Sequence, residues 1–248
     1  MIIEGRLITA IITVIFFILT ILYVDRSKRQ LPWIRPIAGL NAIDEVIGRS
    51  VEMGRPVHYT IGGSGVEPAN IAGLTVLGHV ARISARLGAK LIFTCGVPEV
   101  IPLAESHMEA AYRLENRTDM VPDVRYFAGG YVQGVTGLIN QENIAAQFII
   151  GAIYYYSIVF AEIAYKVGAM QIAGTPNYWQ LPFFVAICDY TLIGEEVYVA
   201  GAYLSKDPVQ MGSILSSDVA KILSIILIIL GVIALIGGSD LIITLISY

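Results

Sequence analysis

Residues 57–63 read VHYTIGG and residues 124–130 read VRYFAGG, with four of the seven positions identical. Each segment is a β-branched and aromatic run that ends in paired glycines, which is typical of a strand followed by a tight turn. From the first segment onward, the pattern predicts a strand, a helix over residues 68–87, a strand over residues 89–96 and a helix over residues 98–116. The order of elements is therefore β-α-β-α.

The second segment begins the same order of elements. After its strand we predict a long helix over residues 141–167, a strand over residues 169–175 and a helix over residues 176–204. A second similarity supports the comparison, because residues 81–92 (ARISARLGAKLI) and residues 161–172 (AEIAYKVGAMQI) share five of twelve positions. We infer an internal duplication. Its two copies are a first repeat over residues 55–117 and a second repeat over residues 123–205.

Strands that alternate with helices predict a parallel sheet with helices on both faces. We therefore expect an α/β fold, a small Rossmann-like parallel sheet of about four strands built from two βαβα repeats. Gly88 and Gly168 each follow a predicted helix and are expected to adopt a left-handed C-cap conformation. Before the first repeat, residues 41–54 (NAIDEVIGRSVEMG) predict a helix that Asn41 caps and Gly54 closes.

The composition is that of a membrane protein, since 56% of the 248 residues are hydrophobic and 15% are charged. Residues 7–24 and residues 222–239 are each uncharged for 18 positions, close to the roughly 20 apolar residues that cross a bilayer. We therefore predict three parts. They are an N-terminal transmembrane anchor (residues 1–29), a cytoplasmic α/β domain (residues 30–218) and a C-terminal transmembrane helix with its tail (residues 219–248).

The charges beside the first span predict the orientation of the chain in the cell membrane. Arg26, Lys28 and Arg29 follow the span, whereas only Arg6 precedes it. By the positive-inside rule, the domain between the two spans lies in the cytoplasm and both termini lie outside. The apolar tail, residues 241–248, either extends the second span at a tilt or lies in the membrane interface.

The second repeat is more apolar than the first. Residues 143–161 and residues 167–188 carry no charge, so hydropathy alone allows two further membrane spans. Pro176 and Pro182 in the second run, and the correspondence with the more polar first repeat, favour segments of the domain instead. The surplus of apolar surface then predicts a homo-oligomer held through the second repeat. The expected interface residues are Tyr154, Tyr155, Phe160, Phe183 and Phe184.

Paired glycines at two strand ends also predict a ligand site. In an open parallel sheet, ligands bind where crossovers diverge at the carboxyl ends of strands. A glycine loop before a helix presents N–H groups to a phosphate or carboxylate. The expected ligand contacts are Gly62, Gly63, Ser64, Gly65, Gly129, Gly130, His58 and Arg125. Neither loop matches GxGxxG or a Walker sequence, so the alternative is that the glycines serve only tight turns.

Other classes of function have little support. The net charge is −4 without a long basic stripe, which argues against nucleic acid as a partner. Cys95 and Cys188 have no metal-ligand or CxxC spacing, so no disulfide, metal site or cofactor is predicted. His79 and His107 fall inside predicted helices, and Ser64 lacks a lysine or histidine dyad partner. No catalytic residue is therefore assigned, and enzymatic activity is disfavoured.

Residues 34–63, IRPIAGLNAIDEVIGRSVEMGRPVHYTIGG, resemble a family of uncharacterised prokaryotic two-span membrane proteins that carry a domain of unknown function. The resemblance implies no activity, substrate or catalytic residue. Two functions remain open from the sequence. The leading one is a non-enzymatic, membrane-anchored assembly or scaffold protein whose cytoplasmic domains self-associate. The alternative is a sensor or enzyme that binds a small anionic metabolite or nucleotide in the glycine-lined crevice.

Overall fold

Six segments pair into one sheet in the computed structural model, which describes residues 7–30, 32 and 34–236. The strands are β1 (Val57–Thr60), β2 (Leu91–Cys95), β3 (Asp123–Tyr126), β4 (Ala146–Ile150), β5 (Met170–Thr175) and β6 (Tyr190–Ile193). Each neighbouring pair is parallel, and the order across the sheet is β3-β2-β1-β4-β5-β6. This is the doubly wound order of Rossmann-like folds, so the predicted α/β class is confirmed.

Helices cover both faces of the sheet. The helices of the whole chain, including α1 and α10 outside the sheet domain, are in order α1 (Leu7–Arg29), α2 (Ala38–Asn41), α3 (Ile43–Met53), α4 (Pro68–Leu87), α5 (Ile101–Leu114), α6 (Tyr131–Glu142), α7 (Ser157–Lys166), α8 (Leu181–Ile187), α9 (Glu196–Ser205) and α10 (Pro208–Ile236). Side chains of α3, α4, α5 and α9 pack on one face, and side chains of α6, α7 and α8 pack on the other. Helix α4 follows β1 on one face and α7 follows β4 on the other. The chain therefore leaves these two central strands in opposite directions.

An aromatic row crosses the first face of the sheet. Tyr59 in β1 lies between its register partners Phe93 in β2 and Phe148 in β4. Its ring stacks on both, with centroid distances of 6.2 Å and 5.9 Å. All three side chains are fully buried, so they form the centre of the core under α4.

The predicted helix over residues 141–167 is wrong. This stretch contains the end of α6, all of β4 and all of α7, and residues 176–204 likewise contain α8, β6 and most of α9. The sheet therefore has six strands rather than about four. The physical reason is that β4 is covered on both faces and every one of its residues is buried, so apolar and polar side chains do not alternate. Such a run has the same appearance in a buried strand and in a buried helix.

The two glycine-ended segments do not occupy equivalent positions in the sheet. Residues 57–63 include the central strand β1, whereas residues 124–130 include β3 at the sheet edge. The counterpart of β1 is β4, because these two strands are neighbours at the centre of the sheet and each is followed by a helix that ends in a glycine, α4 and α7. The second similarity does correspond, because α4 and α7 end in left-handed glycines, Gly88 at φ 77° and Gly168 at φ 74°. The predicted left-handed conformation is confirmed for both glycines, although Val167 and not Gly168 holds the C-cap position of α7. The duplication itself stays a prediction.

The helix predicted before β1 forms as α3, but Asn41 does not cap it. Ala42 holds the N-cap position without a side-chain hydrogen bond. Asn41 Oδ1 instead accepts a hydrogen bond from the Tyr203 hydroxyl at 2.8 Å. Gly54 closes α3 in the left-handed conformation at φ 64°, as predicted.

Two compact units make up the chain, one from the terminal segments up to Ile34 and from Ser205 onward, the other Arg35–Leu204. In the terminal unit, Ala10–Arg29 and Pro208–Ile233 are long and apolar enough to cross a membrane. Because α10 begins at Pro208, it starts before the domain end predicted at residue 218. The predicted tail, residues 241–248, lies outside the described residues.

The helices α1 and α10 pack side by side within the terminal unit. Gly212 faces the backbone of Val24, where a Cβ on the glycine would lie 2.6 Å from the Val24 Cα. One turn further along α10, Ser216 Oγ lies 3.3 Å from Thr20 Oγ1. Since numbers rise along α10 as they fall along α1, the two helices are antiparallel.

Candidate functional site

All strands end at one edge of the sheet, named here the carboxyl edge. It consists of the loops at residues 61–67, 96–100, 127–130, 151–156, 176–180 and 194–195. Because α4 and α7 leave β1 and β4 on opposite faces, loops 61–67 and 151–156 meet at the topological switch point of the sheet. The second wall of the crevice is therefore the loop after β4, and not the loop after β3 that the sequence suggested.

Gly62 and Gly63 pack tightly at this switch point. Gly62 has φ 107°, and a Cβ there would lie 2.7 Å from the Ala152 carbonyl oxygen. Its N–H donates to Thr60 Oγ1 at 3.2 Å, and the Gly63 N–H donates to the Tyr156 hydroxyl. Two N–H groups that the sequence assigned to an anion thus have partners inside the protein.

Two tyrosines fill the space beside these glycines. Tyr131, the first residue of α6, lies against Gly63 and Gly96, and its hydroxyl forms a hydrogen bond with Thr60 Oγ1. Its ring meets Tyr156 edge-on, with centroids 5.5 Å apart and an interplanar angle of 81°. Burial raises the pKa of Tyr156 to about 12, so its hydroxyl stays protonated at neutral pH. A Cβ on Gly62 would lie 2.7 Å from the Tyr156 hydroxyl, and one on Gly63 would lie 3.0 Å from the Tyr131 ring, which accounts for both glycines without a ligand.

Asn70, which was not predicted from the sequence, joins the two walls of the switch point. Its Nδ2 donates to the Gly65 carbonyl at 2.7 Å and to Ser64 Oγ at 3.0 Å. Its Oδ1 accepts a hydrogen bond from the Ala152 N–H at 2.7 Å. Asn70 is 1% exposed, so water does not compete for these bonds. The available signal was an asparagine in the first turn of a helix that follows a glycine loop.

Gly129 and Gly130 lie between β3 and Tyr131, and Arg125 lies within β3. A Cβ on either glycine would meet nothing within 4 Å, so both lie in open space after β3. Arg125 forms ion pairs with Asp123 at 2.9 Å and with Glu142 at 2.8 Å. Glu142 is the last residue of α6, and the first residue of that helix lies at the carboxyl edge. The guanidinium is therefore directed away from that edge.

His58 is completely buried in β1 and does not reach the surface. Its Nε2 lies 2.9 Å from Thr94 Oγ1 on the neighbouring strand. Burial, and secondly the positive charge of Arg125, lower the pKa of His58 from 6.5 to about 3. The ring is therefore neutral at physiological pH and supplies no positive charge to a ligand.

Two of the five predicted interface residues are wrong. Phe160 and Phe184 are fully buried between the sheet and helices α7 and α8. Tyr155, by contrast, is 78% exposed, and Tyr154 and Phe183 are 43% and 40% exposed. More apolar side chains of the second repeat are buried inside the domain than the sequence indicated, because β4 and β5 are strands with both faces covered by helices.

An apolar surface nevertheless remains on the first half of α7, on α8 and on the loops before them, named here the aromatic surface. Its members are all exposed: Tyr155, Ile158, Val159, Tyr178, Trp179, Phe183 and Val185. Ser157 Oγ donates to Gln180 Oε1, so the starts of α7 and α8 are joined and the surface is continuous. Residues 176–188, all described by the structure, contain no charged side chain.

A cleft of about 170 Å³ opens at the carboxyl edge, between the start of α4 and the loops after β4 and β5. Its walls include Glu67, Tyr154, Thr175, Asn177 and Tyr198. The Tyr154 hydroxyl donates to Glu67 Oε2 at 3.0 Å. Gly62, Gly63, Ser64 and Gly65 do not line this cleft.

A wider depression of about 370 Å³ lies at the opposite edge of the sheet. Lys90 and Asp123 line it, together with Tyr112. Lys90 Nζ lies 3.2 Å from a Glu142 carboxylate oxygen and 3.9 Å from one of Asp123, so its charge is already paired. The depression therefore offers no unpaired charge to a ligand.

The described residues hold few groups suited to catalysis. Within the described part of the chain, no three His, Cys, Asp or Glu side chains are grouped so as to hold a metal ion. Burial raises the pKa of Cys95 to about 11 and that of Cys188 to about 12, so both thiols stay protonated at neutral pH. Ser64 Oγ accepts its hydrogen bond from Asn70, a side-chain amide that does not act as a base.

Fold and sequence together define a Rossmann-like α/β protein with two apolar terminal helices that are candidate membrane spans. The model of a family described as a domain of unknown function, DUF6754, matches residues 1–246, and the chain belongs to this family. The resemblance seen in residues 34–63, to an uncharacterised family, is thereby confirmed.

No curated protein matches the chain. Among solved structures, the chain is similar to a crystal structure of universal stress protein in complex with cAMP, at 14% sequence identity and with a TM-score of 0.30. The alignment covers 57% of this chain and 98% of that chain. A likeness at this level carries no argument about function.

Proposed function

We propose that the protein is a non-enzymatic, membrane-anchored assembly protein whose α/β domains associate with one another through the aromatic surface. The observation that carries this proposal is the exposure of three aromatic side chains there, 78% for Tyr155, 73% for Tyr178 and 85% for Trp179. Single exposed apolar residues are common on any protein. A continuous uncharged group of large ones is typical of an interaction site.

The helices of the opposite face provide the contrast. On α5, the exposed side includes Glu109 and Arg113, which pair with each other at 2.9 Å. On α4 it includes Arg82 and Arg86, which pair with Glu115 and Asp44. These outer faces carry the charges expected of a surface in contact with water, as the second half of α7 does with Glu162 and Lys166, whereas α8 carries none.

The size of the aromatic surface suits association. Fully covered aromatic side chains bury about 150–250 Å² each, so Tyr155, Tyr178 and Trp179 offer roughly 450 Å² at their observed exposure. Covering that area yields a gross gain of about 11 kcal/mol per copy at about 25 cal/mol per Å². With the other four members of the aromatic surface added, the area approaches the roughly 800 Å² per partner of a stable interface. The net gain is smaller, because association and side-chain ordering cost several kcal/mol.

Anchoring in a membrane favours this association further. With α1 and α10 as spans, neighbouring copies share one orientation in the plane of the bilayer, which lowers the entropic cost of assembly. Arg26, Lys28 and Arg29 lie in the last turn of α1, so the positive-inside rule favours a cytoplasmic domain with both termini outside.

Cysteine labelling tests this orientation. In a chain with Cys95 and Cys188 replaced, cysteines introduced at Arg29 and Asp119 should react with a membrane-impermeant reagent only after the cells are opened. Labelling of Asp119→Cys on intact cells would contradict the cytoplasmic placement.

The association itself is tested by counting subunits of the full chain in lipid nanodiscs. We expect an oligomer for the wild-type protein and for Leu114→Glu, a control at a 68% exposed leucine on α5. Trp179→Glu and Val185→Glu should give monomers, because each places a charge in the middle of the contact. Phe184→Glu is unsuitable, since that residue is buried in the core of the domain.

A wild-type protein that is monomeric in nanodiscs at micromolar concentration overturns the assembly proposal. If all variants keep the wild-type subunit number, the protein assembles through another surface, and the role of the aromatic surface is refuted.

The sensor alternative, with an anion held by residues 62–65, has less support. The N–H groups of Gly62 and Gly63 donate within the protein. The Arg125 guanidinium is paired with Asp123, away from the loop, and His58 is buried and neutral. The chemistry of the carboxyl edge favours a different kind of ligand.

A further inference from the structure

We infer that the cleft at the carboxyl edge is a binding site for a small organic ammonium ion. The cleft lies beside the switch point of the sheet, where doubly wound folds place their ligands. Its walls bring together one carboxylate, Glu67, and two aromatic side chains, Tyr154 and Tyr198. The inference does not depend on the proposed self-association.

The volume of the cleft limits the size of the ligand. Pockets for drug-sized molecules measure about 300–1,000 Å³, whereas an apolar cavity of about 150 Å³ holds one benzene molecule. At about 170 Å³, this cleft takes a ligand of roughly six to ten heavy atoms. A nucleotide is too large for it.

The charges of the carboxyl edge decide the sign of the ligand. Its six loops, all within the described residues, contain Glu67, Glu99 and Glu195 and no lysine, arginine or histidine. The Glu99 carboxylate lies directly over Gly65, where a Cβ on the glycine would meet Glu99 Oε1 at 2.0 Å. Loops of this composition repel a phosphate and attract a cation.

The amino terminus of α4 at the cleft does not reverse this preference. A helix amino terminus carries a positive charge equivalent to about half an elementary charge. Glu67, at the N-cap position of α4, carries a full negative charge, and Pro68 after it has no N–H to offer an anion. The net charge at this wall of the cleft is therefore negative.

The polar atoms of the walls favour an ammonium ion over a ligand that needs many hydrogen bonds. Thr175 Oγ1 accepts hydrogen bonds from the N–H groups of Asn177 at 3.3 Å and Ile153 at 3.4 Å. The Tyr154 hydroxyl donates to Glu67 Oε2, which leaves Oε1 without a donor among the described residues. What the cleft offers is one carboxylate oxygen and two half-exposed tyrosine rings, the groups that attract alkylated ammonium ions.

The site is held in shape before any ligand arrives. Asn70 bonds the loop before α4 to the Ala152 N–H, so the two walls keep a fixed separation. The Asn177 Nδ2 donates to the Ile153 carbonyl at 3.3 Å and joins the third wall. A preorganised cleft of this kind loses little conformational entropy on binding.

The test uses the full chain in nanodiscs, titrated at constant ionic strength with tetramethylammonium and ethylammonium chloride and, as the opposite charge, with sodium phosphate. Calorimetry should detect at least one of the two ammonium ions and no phosphate. Glu67→Gln should weaken ammonium binding about tenfold or more, and Tyr198→Leu several-fold. Glu99→Gln is the matched control, because it removes the same charge from the same edge without lining the cleft.

Each outcome decides the inference. Absence of binding for both ammonium ions at millimolar concentration overturns it, and so does unchanged affinity in Glu67→Gln and Tyr198→Leu variants whose unfolding temperatures match the wild type. Equal losses for Glu67→Gln and Glu99→Gln indicate only a diffuse attraction to the acidic edge, which also overturns a site. Should Glu67→Gln fail to fold, Tyr198→Leu alone carries the comparison with Glu99→Gln.

Discussion

Replacing Asn70 with alanine should destabilise the α/β domain by releasing the two loops at the switch point. The substitution removes the acceptor of the Ala152 N–H and the donor to the Gly65 carbonyl and Ser64 Oγ. Ala152 is 4% exposed, so its N–H finds no water in exchange. Ser64 and Gly65 are half-buried and regain water more easily.

The magnitude follows from these burials. A buried N–H without an acceptor costs about 1–3 kcal/mol, and the two donated bonds contribute about 0.5–1.5 kcal/mol each at most. We therefore expect the free energy of unfolding to fall by about 2–4 kcal/mol. For a domain of this length, 1 kcal/mol corresponds to about 2–4 °C in Tm, so Tm should fall by about 4–16 °C.

Thermal unfolding of the full chain in nanodiscs measures the shift in Tm, and hydrogen exchange locates it. The peptide that covers residues 151–156 should exchange faster in Asn70→Ala than in the wild type, since Ala152 has lost its acceptor. Asn140→Ala is the control, because Asn140 is exposed and bonds only within α6, to the Thr136 carbonyl at 3.1 Å. Its effect should stay within about 0.5 kcal/mol.

A decrease in Tm no larger than that of Asn140→Ala would refute the role given to Asn70. Unchanged exchange over residues 151–156, with a lowered Tm, would show that the stability is lost elsewhere and that the two loops are not joined by this side chain.

Two further predictions concern the core of the same region. Gly62→Ala should lower the free energy of unfolding by about 2–4 kcal/mol, because its positive φ and the Ala152 carbonyl both disfavour a Cβ. Gly130→Ala, in open space, should change it by less than about 0.5 kcal/mol; equal effects in urea unfolding would contradict the tight packing described. Burial, together with Arg125, lowers the pKa of His58 to about 3, so the unfolded chain binds a proton that the folded one excludes. This contribution to stability is complete above pH 6.5 and decreases toward pH 3 by up to about 1.4 kcal/mol per pH unit. Urea unfolding of His58→Gln should therefore depend less on pH between about pH 6 and pH 4 than that of the wild type; parallel curves for the two proteins would disprove it.

Several elements were predictable because their signals are local. Helix α4 begins and ends where the sequence indicates, with Pro68 in its first turn and Gly88 after its last. The left-handed conformation of Gly54, Gly88 and Gly168 follows from the chain itself, since a helix that stops needs a residue tolerant of positive φ. The two long apolar helices are likewise a matter of composition over one segment.

The site was less predictable because its contacts join distant segments. The glycines of residues 61–67 were identified correctly as a strand-to-helix turn, but the residues that pack on them are Tyr131 and Tyr156, about 70 and 90 positions later. The predicted partner Gly130 lies in the loop after the edge strand β3, directly before Tyr131, and a Cβ on it would meet nothing within 4 Å. The sequence shows that two glycine loops exist, and the strand order decides which loops meet.

What the sequence determined by itself is the set of local states: the apolar terminal helices, the capped helix α4, the alternation of strands and helices, and hence the α/β class. Tertiary structure alone decided whether residues 146–150 form a strand, whether Phe184 faces the core or a neighbour, and which loop faces Gly63. The physical reason is that caps and turns depend on interactions within a few residues, whereas the state of an apolar run depends on which elements cover its two faces. That covering is a property of the strand order β3-β2-β1-β4-β5-β6, which no single segment of the chain contains.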